Sequence, residues 1–484
     1  MKKFFILKRS IWTLLIILGC SSTAAKNISI FVANDLHVMG PELLVNEGSA
    51  WDNYINSSHK LEDYSVGLFQ NMIDSILLQM PDIVMIPGDI SKDGEKLSHQ
   101  YITRELSRLT DAGIKVYVVP GNHDIGNIEN AQYFDGSKRY KAENITAEEF
   151  AEMYAPFGYE GSVRDENSLS YVSEPFEGLV IIGIDSHSRK ISKKTLDWIC
   201  EQASNAREQD KQIITMMHHP IMEHFNGQTE MKSDALIKDD ENIRSRFMEA
   251  GIHTVFTGHF HTTDVAMAYN ENHTDSIFDI TTGSKISYPM HHRWVTLSEN
   301  LSKMEINTFV TDSIEGHPEI VDVAKKRIEK NINAKLESKG VSFMSSVACH
   351  ATFLHCEGNE DEADGISLID SIPFIAFIFY PEAWDIMNSL LDDVSFYGND
   401  NQNRTHDLKL DIKLREAVIE EEEEESKIEE EEIQEEGEDE PESIHVISAD
   451  KNDELSYTIM GQLADDRTHG LVIQGGKIIM LKNP

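Results

Sequence analysis

The chain has 484 residues, 40% of them hydrophobic and 8% aromatic, which is enough apolar material for a large core and too long for one small domain. Lys plus Arg number 43 against 84 Asp plus Glu, a formal net charge of −41 that repels a phosphate backbone and argues against a dedicated nucleic-acid binder. No apolar run reaches the roughly 18 residues needed for a membrane-spanning helix.

At the amino terminus Lys2, Lys3, Lys8 and Arg9 precede an uncharged stretch at 11–19, the layout of a secretory signal peptide over residues 1–25. Ile17-Leu18-Gly19-Cys20 is similar to a lipobox, in which Cys20 would carry a lipid anchor. Ser22, Thr23, Ala24 and Ala25 offer instead an ordinary signal-peptidase site and a soluble mature chain from near Lys26. Both readings export the protein, to the cell surface, the extracellular space or the outer membrane and periplasm. Cys200, Cys349 and Cys356 then remain, too few for a disulfide framework. The seven-residue step between Cys349 and Cys356 predicts a buried structural pair two helical turns apart, in preference to zinc ligands.

Short apolar runs at 28–33, 83–86, 114–119, 179–184, 213–217 and 254–256 predict buried strands, and helical periodicity at 61–79, 98–111 and 193–207 falls between them. That alternation is the pattern of an α/β domain. Further runs at 265–269, 277–281, 294–297 and 304–309 follow without long helices, so part of the sheet structure is expected to be antiparallel. Helices are expected at 320–336 and 343–354, and an apolar stretch follows at 372–379. Residues 420–442 hold sixteen Asp or Glu against the single Lys427, a self-repelling solvated linker. Strands at 444–447, 457–460 and 471–481, punctuated by Gly461, Gly470, Gly475 and Gly476, form a small β-module. The expected organisation is a signal peptide at 1–25, an α/β domain at 26–312, a helical region at 313–415, an acidic linker at 416–442 and the β-module at 443–484.

The chemistry sits where the strands end. Asp35-Leu36-His37 follows the first run, Gly88-Asp89 the second, Gly121-Asn122-His123-Asp124 the third, His218-His219-Pro220 the run ending at Met217, and Gly258-His259-Phe260-His261 the run ending at Phe256. Taken singly, the tripeptide, the GD turn and the HHP segment are ordinary loops. In an open α/β sheet, however, strand C-termini line the crevice where ligands bind, so five metal-capable clusters converge on one site.

In this order the motifs resemble the blocks of the calcineurin-like metallophosphoesterase superfamily, over roughly residues 27–312. The resemblance implies a β-sandwich of two mixed sheets flanked by helices, here with a helical appendage and the C-terminal β-module. It also implies that Asp35, His37, Asp89 and His261 bind one metal and that Asp89, Asn122, His218 and His259 bind the other, with Asp89 bridging. Gly88-Asp89-Ile90-Ser91-Lys92-Asp93-Gly94 adds the family's second aspartate, Asp93. Mixed His and carboxylate ligation suits two divalent or mixed-valence ions of manganese, iron or zinc. Such a pair can clamp a phosphoryl group and lower the pKa of a shared water, supplying a metal-bridging hydroxide. His123 is the candidate general acid for the leaving group. Asp124 is either an outer hydrogen-bond partner of the ligands or a loop-capping residue, and His219 is expected to pack behind the ligands.

The expected activity is that of an exported dinuclear-metal phosphohydrolase acting on small phosphomonoesters or phosphodiesters. A metallonuclease on the same scaffold and a non-catalytic surface binding protein with structural metals are the alternatives. Lys92 to Glu95 with Ser98-His99, and Tyr288-Pro289 with His291 to Arg293, resemble a branch of exported bacterial metallophosphoesterases. Arg293 is a possible phosphate grip, although an exposed surface role is the ordinary expectation for an arginine. Tyr457 to Gln462 and Gly470 to Lys482 resemble the C-terminal sorting domain of Por-type secretion. That likeness implies a secretion-machinery partner and favours ordinary signal cleavage over lipidation.

Overall fold

The apolar runs become strands in two mixed sheets that share one core. The computed structural model describes residues 26–358, except 128, 226, 227 and 339, and the strands Leu408–Asp411, Ser456–Thr458, Gly470–Gln474 and Lys477–Leu481. The signal segment with Cys20, the stretch 372–379, the acidic run and the strand expected at 444–447 lie outside the described residues.

In the first sheet the spatial order is Leu408–Asp411, Lys303–Val310, His291–Leu297, Ile28–Val32, Ile83–Pro87 and Lys115–Val119. The last three run parallel, and the others add antiparallel neighbours. The second sheet runs Asp264–Tyr269, Ser276–Thr281, Thr254–Thr257, Gln212–Met217, Leu179–Ile184, Tyr171–Phe176 and Val163–Arg164, with its four central strands parallel. Between the sheets lie Ile30, Val32, Ile83, Met85, Ile181, Ile214, Met216, Phe256 and Val295, all buried. Alternate residues of the second sheet, such as Val180, Ile182 and Val255, instead meet Leu196, Ile199, Ile243 and Phe247 of the helices Lys193–Arg207 and Asp240–Ala250. Both faces of these strands are therefore covered, which is why their sequences are continuously apolar. Each fully buried Ile, Leu or Phe contributes roughly 1.5–3 kcal/mol relative to exposure.

The helix expected at 61–79 is Ser65–Gln79, entered through the 3₁₀ turn Glu62–Tyr64. The helix Lys193–Arg207 begins where Ser192 Oγ accepts from Thr195 N at 3.1 Å. A small third sheet of Leu44–Asn46, Gln132–Asp135 and Lys138–Lys141 was not expected. Its last strand is exposed along its whole length and carries no apolar alternation, so only pairing reveals it.

The helical region follows as Ile320–Ser338 and Ser345–Glu357. Ile320, Ala324 and Ile328 pack with Leu61, Leu68, Ile286 and Tyr288, so the appendage rests on the α/β domain. Cys349 and Cys356 do lie on one helix, but only Cys349 is buried, and Cys356 is half-covered. The expected pair of buried thiols is corrected accordingly: the helix end at Glu357 leaves its last turn partly open.

Arg293 also departs from its expected surface role. It is fully buried on the strand His291–Leu297, where Nη2 donates to Asp264 O at 3.0 Å and Thr281 O at 2.8 Å, and Nη1 donates to Thr308 Oγ1 at 3.2 Å. Its guanidinium joins the two sheets. The chain divides into two compact units, Met1–Ala417 and Val418–Pro484. In the second, Ser456–Thr458, Gly470–Gln474 and Lys477–Leu481 form an antiparallel sheet with Ile473 opposite Ile478. Among the described residues no helix is long and apolar enough to cross a membrane.

Candidate metal centre

Backbone hydrogen bonds stitch the motif loops together before any side chain is considered. Asp35 N donates to Gly88 O at 3.2 Å, His37 N to Asp89 O at 2.9 Å, and Gly258 N to His218 O at 3.0 Å. Asp35, His37, Asp89, His259 and His261 all have positive φ, between 40° and 70°. Non-glycine residues seldom adopt that region, and its strain is tolerated where surrounding structure enforces it. These turns throw the side chains off the strand ends and into one cluster.

The cluster has two halves that meet at Asp89. On one side His261 Nε2 lies 3.3 Å from Asp35 Oδ1, His37 Nε2 lies 3.2 Å from His261 Nε2, and His37 Nε2 lies 3.7 Å from Asp89 Oδ2. On the other, His218 Nε2 is 3.2 Å from Asp89 Oδ2 and 3.1 Å from Asn122 Oδ1, which is 2.9 Å from His259 Nδ1. The seven residues singled out in the sequence are thus together. Asp35, His37 and His261 converge as one possible ligand group and Asp89, His218 and His259 as another, and a third comprises His37, Asp89 and His123.

The donor chemistry fits cations. Burial pulls His37, His259 and His261 below the ordinary histidine range, in His37 with help from Lys60, so these rings present neutral lone pairs. Two imidazole nitrogens facing one another at 3.2 Å beside a carboxylate have a common acceptor direction and few donors to share. Burial would raise Asp89, but the charges of His218 and His123 hold it well below the carboxylate range. Burial likewise opposes the charge on His218, yet Asp89 pushes it up to about 9; metal ligation there requires that proton to leave. Outer partners orient the rings, with His218 Nδ1 at 3.0 Å from Pro87 O and His259 Nε2 at 3.0 Å from Asp234 O.

His123 stands at the seam. Its Nδ1 is 2.8 Å from both Lys92 O and Asp93 Oδ1. Two acceptors there place the proton on Nδ1 and turn Nε2 toward Asp89 Oδ2, 3.9 Å away. Against burial, Asp89 and Asp93 raise its pKa. Asp124 accepts from Gly121 N at 2.8 Å, Ile90 N at 3.2 Å, and Ser91 N and Oγ at 2.8 Å, binding the second and third motif loops to each other. It touches no ligand side chain and so follows the loop-capping alternative. Burial, with Asp89 adding to it, raises Asp124 to about 6. His219 is buried with its ring 4.3 Å from that of His259, packed behind the ligands as expected.

Several contributors carry no motif. Asn34 Nδ2 donates to Asp35 Oδ2 at 2.5 Å and to Thr282 O at 2.9 Å, and Ser186 Oγ accepts from His218 N at 3.0 Å. Lys60 Nζ lies 3.2 Å from His37 Nε2. Asp93 was visible in the sequence, but its partnership with His123 spans thirty positions and needed the fold.

The fold and this centre define a metal-dependent phosphoesterase domain. Residues 28–263 match the family model of calcineurin-like phosphoesterases. A curated relative, the serine/threonine-protein phosphatase CPPED1 of Homo sapiens, is 25% identical over 160 residues, which are 33% of this chain and 45% of that protein. The chain thus spans about half the length of the curated relative it matches. Among solved structures, a dimetal phosphatase from Danio rerio aligns at 12% identity and a TM-score of 0.41, over 58% of this chain and 95% of that one. The purple acid phosphatase PPD1 from yellow lupin (Lupinus luteus) seeds aligns at 12% identity and a TM-score of 0.39, over 60% of this chain and 53% of that one.

Proposed function

We propose that the protein is an exported dinuclear-metal phosphohydrolase that cleaves small phosphomonoesters or phosphodiesters. The observation that carries this reading is the arrangement around Asp89, whose Oδ2 lies 3.2 Å from His218 Nε2 and 3.7 Å from His37 Nε2. Asp35, His37, Asp89 and His261 would hold one cation, and Asp89, Asn122, His218 and His259 the other. Two bound cations of manganese, iron or zinc would stabilise charge on the phosphoryl group and lower the pKa of a shared water.

The chain's own residues supply the rest. The seven ligands include only two carboxylates, so the centre keeps a positive balance that attracts an anionic ester. His123, with Nδ1 tied to Lys92 O and Asp93, presents Nε2 to the leaving-group oxygen and gives it a proton. The charged network Lys92, Asp93 and Glu95, with Lys92 Nζ 3.1 Å from Glu95 Oε1, keeps Asp93 in place. Hydrolysis of a panel of monoesters and diesters, measured with manganese, iron or zinc and again after chelation, tests the reading; activity indifferent to chelation ends it.

Export rests on the amino-terminal layout and on the likeness of the last residues to a Por-type sorting domain. A signal peptide removed before Lys26 and passage through secretion machinery follow from it. Fractionation of cells expressing the full chain, with mass spectrometry of the mature amino terminus, separates ordinary cleavage from lipidation at Cys20.

A further inference from the structure

Residues 56–63 reach the metal centre from outside the five motifs. Lys60 is half-buried, and its Nζ lies 3.2 Å from His37 Nε2 and 3.4 Å from His37 Nδ1. Lys92, the neighbouring lysine, is committed to Asp93 and Glu95, whereas among the described residues Lys60 forms no ion pair with a carboxylate. An ammonium has three donors and no acceptor. His37 is itself assigned to a cation, so in the loaded centre the Lys60 donors turn to other acceptors, and the oxygens of an anionic phosphoryl group held there can supply them.

The loop is fastened from behind by the helix Ile320–Ser338. Arg327 Nη1 donates to Lys60 O at 2.8 Å, and its fork grips Asp63 at 2.6 and 2.9 Å. Asn331 Nδ2 donates to Ser58 O at 3.1 Å, and Lys330 Nζ to Asn56 Oδ1 at 2.7 Å. The helix is itself seated by Ile320, Ala324 and Ile328. The backbone of Lys60 is therefore held on both sides while its four-carbon stem remains free to turn.

We propose that Lys60 binds the substrate's phosphoryl group, donating from Nζ to a non-bridging oxygen, and that Arg327 is the positioning residue that keeps it at the site. The inference rests on the phosphohydrolase reading and deepens it: the helical region becomes part of the substrate-binding machinery.

The test uses the full chain loaded with manganese, with orthophosphate titrated by calorimetry into wild type, K60M, K60R, R327A and the K60M/R327A double variant. Loss of a charge-assisted hydrogen bond should weaken orthophosphate on the order of tenfold to a hundredfold in K60M. Metal content and thermal unfolding should stay near wild type, and K60R should recover most of the affinity. In turnover K60M should raise KM more than it lowers kcat. R327A should weaken orthophosphate by itself and add nothing in the K60M background.

Wild-type orthophosphate affinity in K60M overturns the proposal, as does a loss of metal from K60M that matches its loss of phosphate. A full R327A effect in the K60M background overturns the positioning role. If the wild type hydrolyses esters and K60M is indistinguishable from it, the inference fails and the hydrolase reading stands. If the wild type hydrolyses none yet binds orthophosphate through Lys60, the hydrolase reading fails and the anion site stands.

Discussion

Gly121 and Asp89 approach so closely that a Cβ on Gly121 would fall deep inside van der Waals contact with Asp89 Oδ1 and N. Glycine is required there because the third motif loop lies directly on the carboxylate shared by the two halves of the centre. Gly121→Ala is expected to displace Asp89, cost about 1–3 kcal/mol of stability through overpacking, and lower the bound metal per chain. Elemental analysis together with urea denaturation checks both effects; unchanged metal content would show that the contact is dispensable.

Asp89→Asn removes the charge that both halves share. Since even an outer hydrogen-bond partner of a metal ligand is worth on the order of 10- to 100-fold, activity should fall at least a hundredfold, with metal lost in parallel. Equilibrium dialysis and initial rates read the two quantities separately.

His123→Ala should lower kcat by about 10²- to 10⁴-fold with a smaller change in KM. The loss should be smaller for a p-nitrophenyl ester, whose leaving group needs little protonation, than for an alkyl ester. Asp93→Asn, acting through the 2.8 Å contact to His123 Nδ1, should fall in the same direction by a smaller factor. Equal losses on both leaving groups would remove His123 from the proton-transfer role.

His224 offers a pH test away from the centre. Burial disfavours its charge, but the Asp264 and Asp279 carboxylates, with Asp264 Oδ2 2.6 Å from its Nδ1, push it up to about 10. Because the folded value lies above the ordinary histidine value, the stabilisation is fully present below about pH 6.5 and is lost as pH rises toward 10. His224→Gln should therefore cost about 3–5 kcal/mol near pH 6, leaving buried carboxylates uncompensated. The gap from wild type should close progressively in urea denaturation at pH 8 and 10; a constant gap would refute the pairing.

Leu408–Asp411 covers the outer edge of the strand Lys303–Val310, with Met304 opposite Leu410. A chain ending at residue 417 should keep metal content and activity, whereas one ending at 407 bares that edge. The shorter chain is expected to unfold more readily and to self-associate, which sedimentation and thermal unfolding compare directly.

Much of this was legible in the primary structure because it is local. The strand Leu179–Ile184 and the helix Lys193–Arg207 match their expected bounds residue for residue, since burial on both faces leaves an unbroken apolar run and a half-buried helix leaves a clear period. The exposed strand Lys138–Lys141 leaves no such trace. Arg293 is buried, against its expected surface role, because carbonyls from other strands satisfy it, and no local pattern records such partners.

The five motif clusters and the α/β class came from residue types placed directly after apolar runs, and the choice of the seven metal-binding candidates and of His123 from the family resemblance those motifs carry. Their distances, the left-handed turns at Asp35, His37, Asp89, His259 and His261, and the bond from His123 to Asp93 came only from the folded chain. So did the fastening of Lys60 by Arg327, 267 positions away. Hydrophobic periodicity is written within a few turns of backbone, whereas a polar contact across the fold depends on which loops the sheets bring together and leaves no mark on either partner's neighbours.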